Sequence, residues 1–405
     1  MTDANQAVEI AARTSYGRLV AYLSSQTRDV AAAEDALSEA LLAALTAWPR
    51  DGVPDQPEAW LLTAARNRLL DHSRRDRVRE EHADALRLLA GHSRSAGVAD
   101  DFPDERLKLF FVCTHPAIEP SVHTPLMLQT VLGLDAARIA RAFLVSPATM
   151  GQRLVRAKTK IREAGIPFEI PEERQLAKRL DAVLEAIYAA YGLGWDEATG
   201  ADPRARDLVD EAIWLGRVLV QRMPGEPEAR GLLALMLFCE SRRAARRTAD
   251  GRYVPLSEQD TAAWSQAMID EAESEMNAAA KTNRLGRFQI EAAIQSVHAE
   301  RRATGRTDWS AITVFYEHLV RLAPTLGARI AQAAAMGEAR GPERGLALLD
   351  GIDRDAVASY QPYWAVRAHL LRRSGRSAEA AAAFDRAIGL TEQDAIRAFL
   401  IERRG

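Results

Sequence analysis

Cysteine is scarce in this chain of 405 residues, which contains only Cys113 and Cys239. The two lie far apart, and neither belongs to a Cys-x-x-Cys pair or to a Cys/His set with metal-ligand spacing. The sequence therefore argues against a disulfide framework and against a structural zinc site, and it is typical of a reducing compartment. His115 follows closely on Cys113, but we interpret Cys113 as a buried residue at a helix end rather than as a metal ligand.

Other absences narrow the class of protein. No uninterrupted apolar run approaches the roughly 20 residues that span a bilayer. The first ten residues, MTDANQAVEI, lack the basic and apolar stretches of a signal peptide. We therefore expect a cytoplasmic protein without membrane contact.

The sequence also lacks the motifs GxxxxGK[ST], HExxH and GxSxG. Their absence argues against a phosphate-binding loop, a metalloprotease helix and a nucleophile elbow. We expect neither an enzyme nor a bound metal or cofactor.

Charge and composition indicate an all-α protein. Basic and acidic residues nearly cancel to a formal net charge of -3, so any contact with nucleic acid has to come from local basic patches. Aromatic residues make up only 6% of the chain and hydrophobic residues 47%, and Ala, Leu, Arg and Glu are abundant, as in helix-forming sequences. The length fits two or three domains of ordinary size. We predict an all-α fold with several domains.

Hydrophobic periodicity divides the chain into three helical parts. The first covers 1–79 and contains one loop rich in Pro and Gly, at 49–57. A polar stretch at 80–104 has few apolar residues and is interpreted as a flexible linker. The second part, 105–170, ends where glycine and proline interrupt the helical pattern. The third part, 171–405, is predicted to consist of helical hairpins with turns at 192–203, 224–227, 250–251, 305, 324 and 375.

The second part contains the pattern of a helix-turn-helix. Asp135 and Ser146 are each placed to cap a helix, and Pro147 fits the first turn of the second helix. Apolar residues then recur four, three and four positions apart, which predicts one buried face formed by Met150, Leu154, Ala157 and Ile161. Between positions 146 and 162 there are five basic residues and no acidic one, which suits a phosphate backbone. The residues predicted to face duplex DNA are Thr149, Gln152, Arg153, Arg156, Lys158 and Lys160.

A plain amphipathic helix with a solvated basic face is the alternative interpretation of this segment. Two residues depart from the usual helix-turn-helix pattern. Leu144 stands near the turn, where many such motifs have Gly, and Gly151 lies inside the second helix at a cost of about 1 kcal/mol. The agreement of caps, buried stripe and charge within one segment favours the helix-turn-helix.

The first part combines an acidic helix with a basic one. The pattern from 34 to 48 predicts a core face of Leu37, Leu41, Leu45 and Trp48. The opposite face carries Asp35 and Glu39, which either bind a partner or are simply solvated. After the loop, Pro57 begins a helix followed by six arginines against two aspartates between 66 and 79, a net charge of +4. A loop before a basic helix can bind a single strand of nucleic acid. The basic side chains then contact the phosphates, and the side chains of the loop surround the extruded bases.

These segments resemble a known family. The phrases YGRLVAYL, AEDALSEALLAAL and PEAWLLTAARNRLLDHSRR look like region 2 of the extracytoplasmic-function sigma factors, and RIARAFLVSPATMGQRLVRAKTKIREAGIPFEIP looks like their region 4. More narrowly, the chain resembles the subgroup with a long C-terminal extension of tetratricopeptide-like repeats. The resemblance implies two small helical sigma domains, region 2 and region 4, followed by a helical-repeat domain.

The resemblance also implies a role for each part. In region 2, Asp35 and Glu39 would bind the clamp helices of the largest subunit of RNA polymerase core, and region 4 would read the minus-thirty-five duplex with the cationic helix. The loop and the helix after it would open and read the minus-ten element. The residues implied for that role are Arg50, Asp51, Asp55, Gln56, Trp60, Arg66, Asn67 and Arg68.

The extension contains one motif that we interpret as a candidate regulatory turn. The sequence RRTADGR, which ends in Asp250, Gly251 and Arg252, resembles a recurring phrase of the subgroup. Asp-Gly favours a tight turn, and clustered charges there either lock two hairpins together or hold a ligand or protein regulator. The resemblance implies regulation in cis by the extension. Its sign is open, and we expect a brace that orders the two sigma regions rather than a clamp that occludes them.

The sequence is also compatible with two other classes of protein, a transcriptional regulator and a repeat scaffold. A helix-turn-helix regulator with a helical sensor domain would act without polymerase core, and it would have no use for a second, loop-bearing basic unit. A repeat scaffold for other proteins would leave the first 170 residues without a role. We expect a sigma factor, because both basic units then have a task.

Overall fold

The computed structural model describes residues 3–76, 102–143, 145–197 and 203–405. Within these ranges all the regular elements are helices, apart from an isolated bridge between Arg247 and Tyr253. The predicted all-α fold is confirmed. The chain divides into two compact units, Met1–Val218 and Leu219–Gly405. Most of the predicted linker at 80–104 lies outside the described residues, as does Leu144.

The first unit contains the helices that carry the predicted sigma regions, followed by two more. They are α1 (Asp3–Thr27), α2 (Val30–Asp51), α3 (Pro57–Asp76), α4 (Arg106–Cys113), α5 (Pro120–Thr130), α6 (Ala136–Ala142), α7 (Pro147–Glu163), α8 (Glu173–Glu197) and α9 (Pro203–Arg222), the last of which crosses into the second unit.

Helices α1, α2 and α3 pack on one another. Asp29 caps α2 by accepting a hydrogen bond from the amide of Ala32 at 3.1 Å. The buried face of α2 is dominated by alanines together with Leu37 and Trp48, because small residues allow neighbouring helices to approach closely. The prediction that Leu45 belongs to the core is wrong, since this side chain is 44% exposed and Leu41 is only partly buried.

The predicted loop begins later than expected, because α2 continues through Pro49 to Asp51. Pro49 cannot donate to the carbonyl of Leu45, so the helix lacks one internal hydrogen bond at this point, on a part of α2 that is exposed. The helix ends at Gly52, whose φ of 93° favours glycine and whose amide donates to the Trp48 carbonyl at 3.0 Å. The loop is therefore limited to residues 52–56.

Local signals predicted α6 and α7 correctly. Asp135 accepts a hydrogen bond from the Arg138 amide at 2.8 Å, and Ser146 accepts one from the Thr149 amide at 3.2 Å. The predicted buried face of α7 is confirmed in full, with Met150, Leu154, Ala157 and Ile161 all buried. Two consecutive helices, joined by a short turn, thus pack on each other and leave the rest of α7 outside the core.

Glycine allows α1 to approach the end of α5 closely. A Cβ atom on Gly17 would lie 1.8 Å from the backbone oxygen of Val131, so no larger residue fits without moving a helix. Nearby, the left-handed Gly133 (φ 66°) lies against the ring of Tyr16. The start of the predicted region 2 is therefore in direct contact with the predicted region 4.

The different surroundings of Gly17 and Gly151 predict opposite effects for their Gly→Ala substitutions. We expect Gly17→Ala to lower the free energy of unfolding by about 1 to 3 kcal/mol, because the methyl group collides with backbone. Gly151→Ala is the control, since nothing lies within 4 Å of its Cβ position inside α7, and we expect a gain of up to about 1 kcal/mol from helix propensity. Urea unfolding of both variants measures these changes. A loss of stability at Gly151, or none at Gly17, would contradict the packing.

The first two helices of the third part pack with the sigma regions in the first unit. Helix α8 contacts α4 and α5, and the Arg179 guanidinium donates to the carbonyl of Phe111. The predicted turn from 192 begins later, because α8 continues to Glu197, with the rings of Tyr191 and Trp195 stacked at 5.6 Å. Residues 198–202 lie outside the described part. The predicted boundaries at 79, 105 and 171 remain predictions.

The second unit is a succession of packed helices. In chain order they are α10 (Pro227–Ser241), α11 (Gln266–Ala280), α12 (Arg287–Ala299), α13 (Arg301–Thr304), α14 (Trp309–Leu322), α15 (Leu326–Arg340), α16 (Pro342–Asp350), α17 (Arg354–Val357), α18 (Gln361–Arg373), α19 (Ser377–Leu390) and α20 (Asp394–Arg404). The hairpin predicted around Gly375 is present, with α18 packed on α19 and a φ of 76° at this glycine. Across the described residues, no helix is both long enough and apolar enough to cross a membrane.

Cys113 is the last residue of α4 and is fully buried. Its sulfur lies 3.5 Å from the hydroxyl of Thr130, and burial raises the pKa of the thiol to about 12. The prediction of a buried cysteine at a helix end is confirmed. A thiol held protonated in this way is chemically inert at neutral pH.

Candidate nucleic-acid interface

The polar face of α7 is exposed along its length. Thr149 and Gln152 near the start of the helix are exposed, and so are Arg153, Arg156 and Lys160 further along. Among the described residues, these three cations have no acidic partner within ion-pair distance. A helix of this kind presents short polar side chains at its N-terminal end and free positive charge behind them, which suits base edges and phosphates respectively.

Lys158 does not share this face. Its ammonium group lies 2.5 Å from a carboxylate oxygen of Glu34 on α2, and the two side chains are only 12% and 11% exposed. Further along α7, the guanidinium of Arg162 lies 3.5 Å from the carboxylate of Asp29. Lys158 was predicted to face DNA, and the structure places it against region 2 instead of beside Arg153 and Arg156.

The Glu34 carboxylate is in an unfavourable place for a charge. Burial raises its pKa above the ordinary value even though the adjacent Lys158 acts in the opposite direction. Burial also raises the pKa of Tyr16, which lies beside this carboxylate, and the negative charge of Glu34 raises it further. A buried carboxylate of this kind depends on its cation, because an unpaired charge in the interior is strongly destabilising. Sequence patterns gave no sign of this pair, which joins residues 124 positions apart.

The outer face of α2 combines negative charge with apolar surface. Asp35 is exposed, and the Glu39 side chain is 42% exposed, with its carboxylate 3.4 Å from Arg68 on α3. Leu42 and Leu45 follow on the same side of the helix and are 65% and 44% exposed. The sequence pattern predicts the exposed acidic residues correctly, but it predicts wrongly that Leu45 is buried in the core. The two leucines add apolar surface next to these carboxylates, and this face is available to another protein.

The loop before α3 presents most of its polar side chains to solvent. Asp55 and Gln56 are exposed, while Arg50 and Asp51 form an exposed pair at the end of α2 with nitrogen-to-oxygen distances of 2.8 and 2.9 Å. Asn67 and Arg68 on α3 are also exposed. These six residues are near one another in the chain and are accessible to a ligand.

Trp60 and Arg66 are held by the protein itself. The ring of Trp60 lies edge-on to that of Trp48, with centroids 5.6 Å apart. The guanidinium of Arg66 donates to the hydroxyl of Tyr22 at 2.6 Å. Both side chains are partly buried, so in this structure their contacts are with the helical bundle.

The turn singled out in the extension is a small, self-contained hairpin in the second unit. Asp250 accepts a hydrogen bond from the hydroxyl of Thr248 at 2.5 Å and from the Arg252 guanidinium at 2.8 Å, and these bonds lower the pKa of the Asp250 carboxyl. Gly251 has a φ of 85°, which only glycine adopts easily. The charges thus pair within the turn, and Asp250 and Arg252 are more than half exposed.

A cleft of about 500 Å³ separates this turn from the last helix, α20. One wall is formed by Tyr253, whose ring lies edge-on to Phe399 of α20 at 5.4 Å. Arg403 of α20 lies over the same phenyl ring and pairs with Glu258. The end of the chain is therefore attached to the segment that follows the turn.

The comparisons with known proteins agree with the first part of this description. Residues 12–79 match the model of sigma-70 region 2. Residues 179–280, which include α10 and the Asp250 turn, match a family of unknown function, DUF6596. No solved structure matches the chain.

A curated relative covers nearly the whole chain. The uncharacterized protein R00370 of Rhizobium meliloti (strain 1021) is 38% identical over 406 residues, which is 99% of this chain and 95% of that protein. The similarity extends over the sigma region, the cationic helix and the extension alike. The chain therefore belongs to one family with R00370, and its region 2 makes it a sigma-70 family sigma factor with a role in transcription directed by RNA polymerase.

Proposed function

We propose that the chain is a sigma factor of the extracytoplasmic-function type that binds polymerase core with α2, the minus-ten element with the loop and α3, and the minus-thirty-five duplex with α7. The observation that carries the α7 assignment is the exposed face with Arg153, Arg156 and Lys160, which have no acidic partner among the described residues, opposite a fully buried apolar stripe. The acidic and apolar face of α2, with Asp35 and Glu39, supports the core assignment. Polymerase supplies the chemistry, and the protein acts in the cytoplasm.

The exposed residues of the loop support the minus-ten assignment. Asp55, Gln56 and Asn67 offer hydrogen-bonding groups to the strand. Arg50 and Arg68, which pair with Asp51 and Glu39 in this structure, offer exposed guanidinium groups. Trp60 and Arg66 would assist from their packed positions by holding α3 against α2 and α1. Helices α18 and α19 support a tetratricopeptide-like extension that regulates the sigma regions in cis, with Asp250, Gly251 and Arg252 as its regulatory turn.

The test of the α7 assignment is the salt dependence of duplex binding. We expect Arg153→Ala and Arg156→Ala each to weaken binding to promoter duplex and to reduce the slope of log affinity against log salt by about 0.9 per lost phosphate contact. If one of them reads a base, discrimination at a single base pair falls by ~1 to 3 kcal/mol instead. Fluorescence anisotropy between 50 and 200 mM salt, as rough limits, measures both quantities.

Arg344→Ala is the matched control, because this arginine is exposed on α16 in the second unit and lies outside the proposed interface. Its slope should equal that of the unmodified protein. An unchanged slope in both α7 variants would show that this helix does not contact the duplex.

A further inference from the structure

Two arginines of the second unit lie close together beside the end of α10. Arg242 follows the last residue of α10, and Arg301 begins α13. Helix α10 packs on α12, which in turn packs on α13 and α14. Burial lowers the pKa of Arg301, and the positive charge of Arg242 lowers it further. Such an effect requires the two guanidinium groups to be near each other in space, although they are far apart in the sequence.

Neither guanidinium has a carboxylate partner within the described part of the chain. Arg242 donates a hydrogen bond to the sulfur of Cys239 at 3.5 Å. Arg301 donates to the backbone carbonyls of Leu256 and Gln259, both at 2.7 Å. Sulfur and carbonyl oxygen are acceptors without a full negative charge, so these bonds leave both positive charges uncompensated.

The carboxylates that act on the same surroundings are already paired. Glu240 and Glu291 both influence the thiol of Cys239. Glu240 accepts a hydrogen bond from Arg243, and the carboxylate of Glu291 lies 2.7 Å from the guanidinium of Arg287. The protein therefore surrounds Arg242 with committed carboxylates rather than with a free one.

Polar groups beside the two arginines lack hydrogen-bond partners among the described residues. Burial, followed by the charges of Arg242 and Arg301, lowers the pKa of His298 to about 3, so its imidazole is neutral. Burial raises the pKa of Tyr316 to about 12, so its phenol keeps its proton, and Arg242 is among the charges that act on it. Neither group makes a hydrogen bond to the protein. The indole nitrogen of Trp264, whose ring lies 5.1 Å from the Arg301 guanidinium, is buried and also has no partner.

We propose that Arg242, Arg301, His298 and Tyr316 form a site for the phosphate group of a small molecule. The two guanidinium groups supply two positive charges, which match a phosphate dianion. The phenol and the neutral imidazole can each donate one further hydrogen bond. A planar carboxylate is satisfied by the fork of one arginine, whereas a tetrahedral phosphate accepts from donors on several sides. All four side chains are partly buried, which favours a small molecule over the backbone of a duplex.

Titration of the full-length protein with inorganic phosphate tests this site. Isothermal titration calorimetry at constant ionic strength should show saturable binding. We expect Arg242→Gln to weaken the affinity at least about tenfold, because a hydrogen bond between charged groups is lost together with the charge. Tyr316→Phe removes only the hydroxyl and should weaken the affinity about threefold to tenfold. It keeps the packed ring, so it remains informative if Arg242→Gln fails to fold.

Arg344→Gln is the matched control, because it removes an exposed arginine of α16 in the same unit. Its affinity for phosphate should equal that of the unmodified protein. Adenosine monophosphate distinguishes the two sources of the phosphate group: tighter binding than inorganic phosphate supports a phosphorylated metabolite, and weaker binding supports free phosphate. Hydrogen exchange measured by mass spectrometry should slow in residues 239–246 and 256–264 when phosphate is added, and should stay unchanged in α7.

Several results would overturn the site. These are unchanged affinity in folded Arg242→Gln or in Tyr316→Phe, an equal loss in Arg344→Gln, or no binding of either phosphate compound. Loss of phosphate binding in Arg153→Gln with normal binding in Arg242→Gln would place the anion on α7 instead. The measurements need neither polymerase nor DNA, so failure of the site leaves the proposed function standing, and failure of the proposed function leaves the site standing.

Discussion

Reversing the charge of Asp35 and Glu39 to Lys is expected to abolish binding to polymerase core while the protein stays folded. Both side chains lie on the outer face of α2, where substitutions have little effect on stability. A partner surface complementary to carboxylates meets two positive charges instead, and like charges at an interface cost several kcal/mol. We expect the affinity for core to fall at least about a hundredfold, as measured by anisotropy with labelled protein.

The internal pair of Glu39 with Arg68 requires one refinement of this experiment. A lysine at position 39 would face Arg68 at short range, so part of the effect could arise within the protein. Asp35→Lys alone avoids that neighbour and should retain most of the loss. Glu343→Lys with Asp355→Lys, two exposed acidic residues of the second unit, makes the same change in net charge elsewhere. Normal affinity for polymerase core in the α2 variant, or an equal loss of affinity in this control, would contradict the assignment of Asp35 and Glu39 to core binding.

Features that depend on near neighbours in sequence could be predicted. Asp135 and Ser146 cap their helices as expected, and the four apolar residues of α7 are all buried. A cap acts over three residues and a buried stripe repeats every three or four, so both leave a local pattern. The exposed cations of α7 follow from the same pattern, because residues opposite a buried stripe face outward. The exposed cationic face that is proposed to bind duplex was therefore predictable, except for Lys158.

Features that depend on packing between distant segments could not be predicted. Lys158 is aimed at Glu34 because α7 docks on α2, and no periodicity encodes which helices meet. Phe102, at the end of a stretch interpreted as a flexible linker, is buried, with its ring 5.0 Å from that of Tyr22. A lone aromatic residue has no partner of its own kind nearby in sequence, so its role as an anchor appears only in the fold.

The exposure of Leu45, which the sequence pattern predicts to be buried, bears on the proposed function. A heptad-like reading of α2 places Leu37, Leu41 and Leu45 on one face, because leucine is the usual core residue of a helix. The bundle instead buries the alanine stripe, which lets α1 and α3 approach, and leaves Leu42 and Leu45 outside. Large apolar residues that stay exposed beside each other are available to contact a partner. In this protein that partner is proposed to be polymerase core.

The extension is divided between the two compact units, and truncation should show what each portion contributes to activity. Helices α8 and α9 are part of the first unit, where Arg179 contacts Phe111, and Glu211 pairs with the buried Arg106. The rest of the extension forms the second unit with its own core. A chain that ends at 170 would lose contacts of α4 and α5, whereas a chain that ends at 222 keeps every helix of the first unit.

Truncation after residue 170 is expected to reduce transcription from the cognate promoter to background. Removal of α8 and α9 exposes apolar surface of α4 and α5 and deprives the Arg106 guanidinium of its contacts with Glu211 and Trp214.

Truncation after residue 222 and the substitution Asp250→Ala are each expected to lower transcription without lowering the unfolding midpoint of the first unit, as expected if the second unit acts as a brace. Within the described part of the chain, the hydrogen bonds of the Asp250 side chain lie inside its own turn, so we expect its loss to leave the packing intact. Asp355→Ala, an exposed aspartate elsewhere in that unit, is the control and should be silent. A reporter at matched protein abundance, with thermal unfolding alongside, measures both effects. Higher output from the chain that ends at 222 would make the second unit an inhibitor, and equal output from all chains would make it a passive appendage.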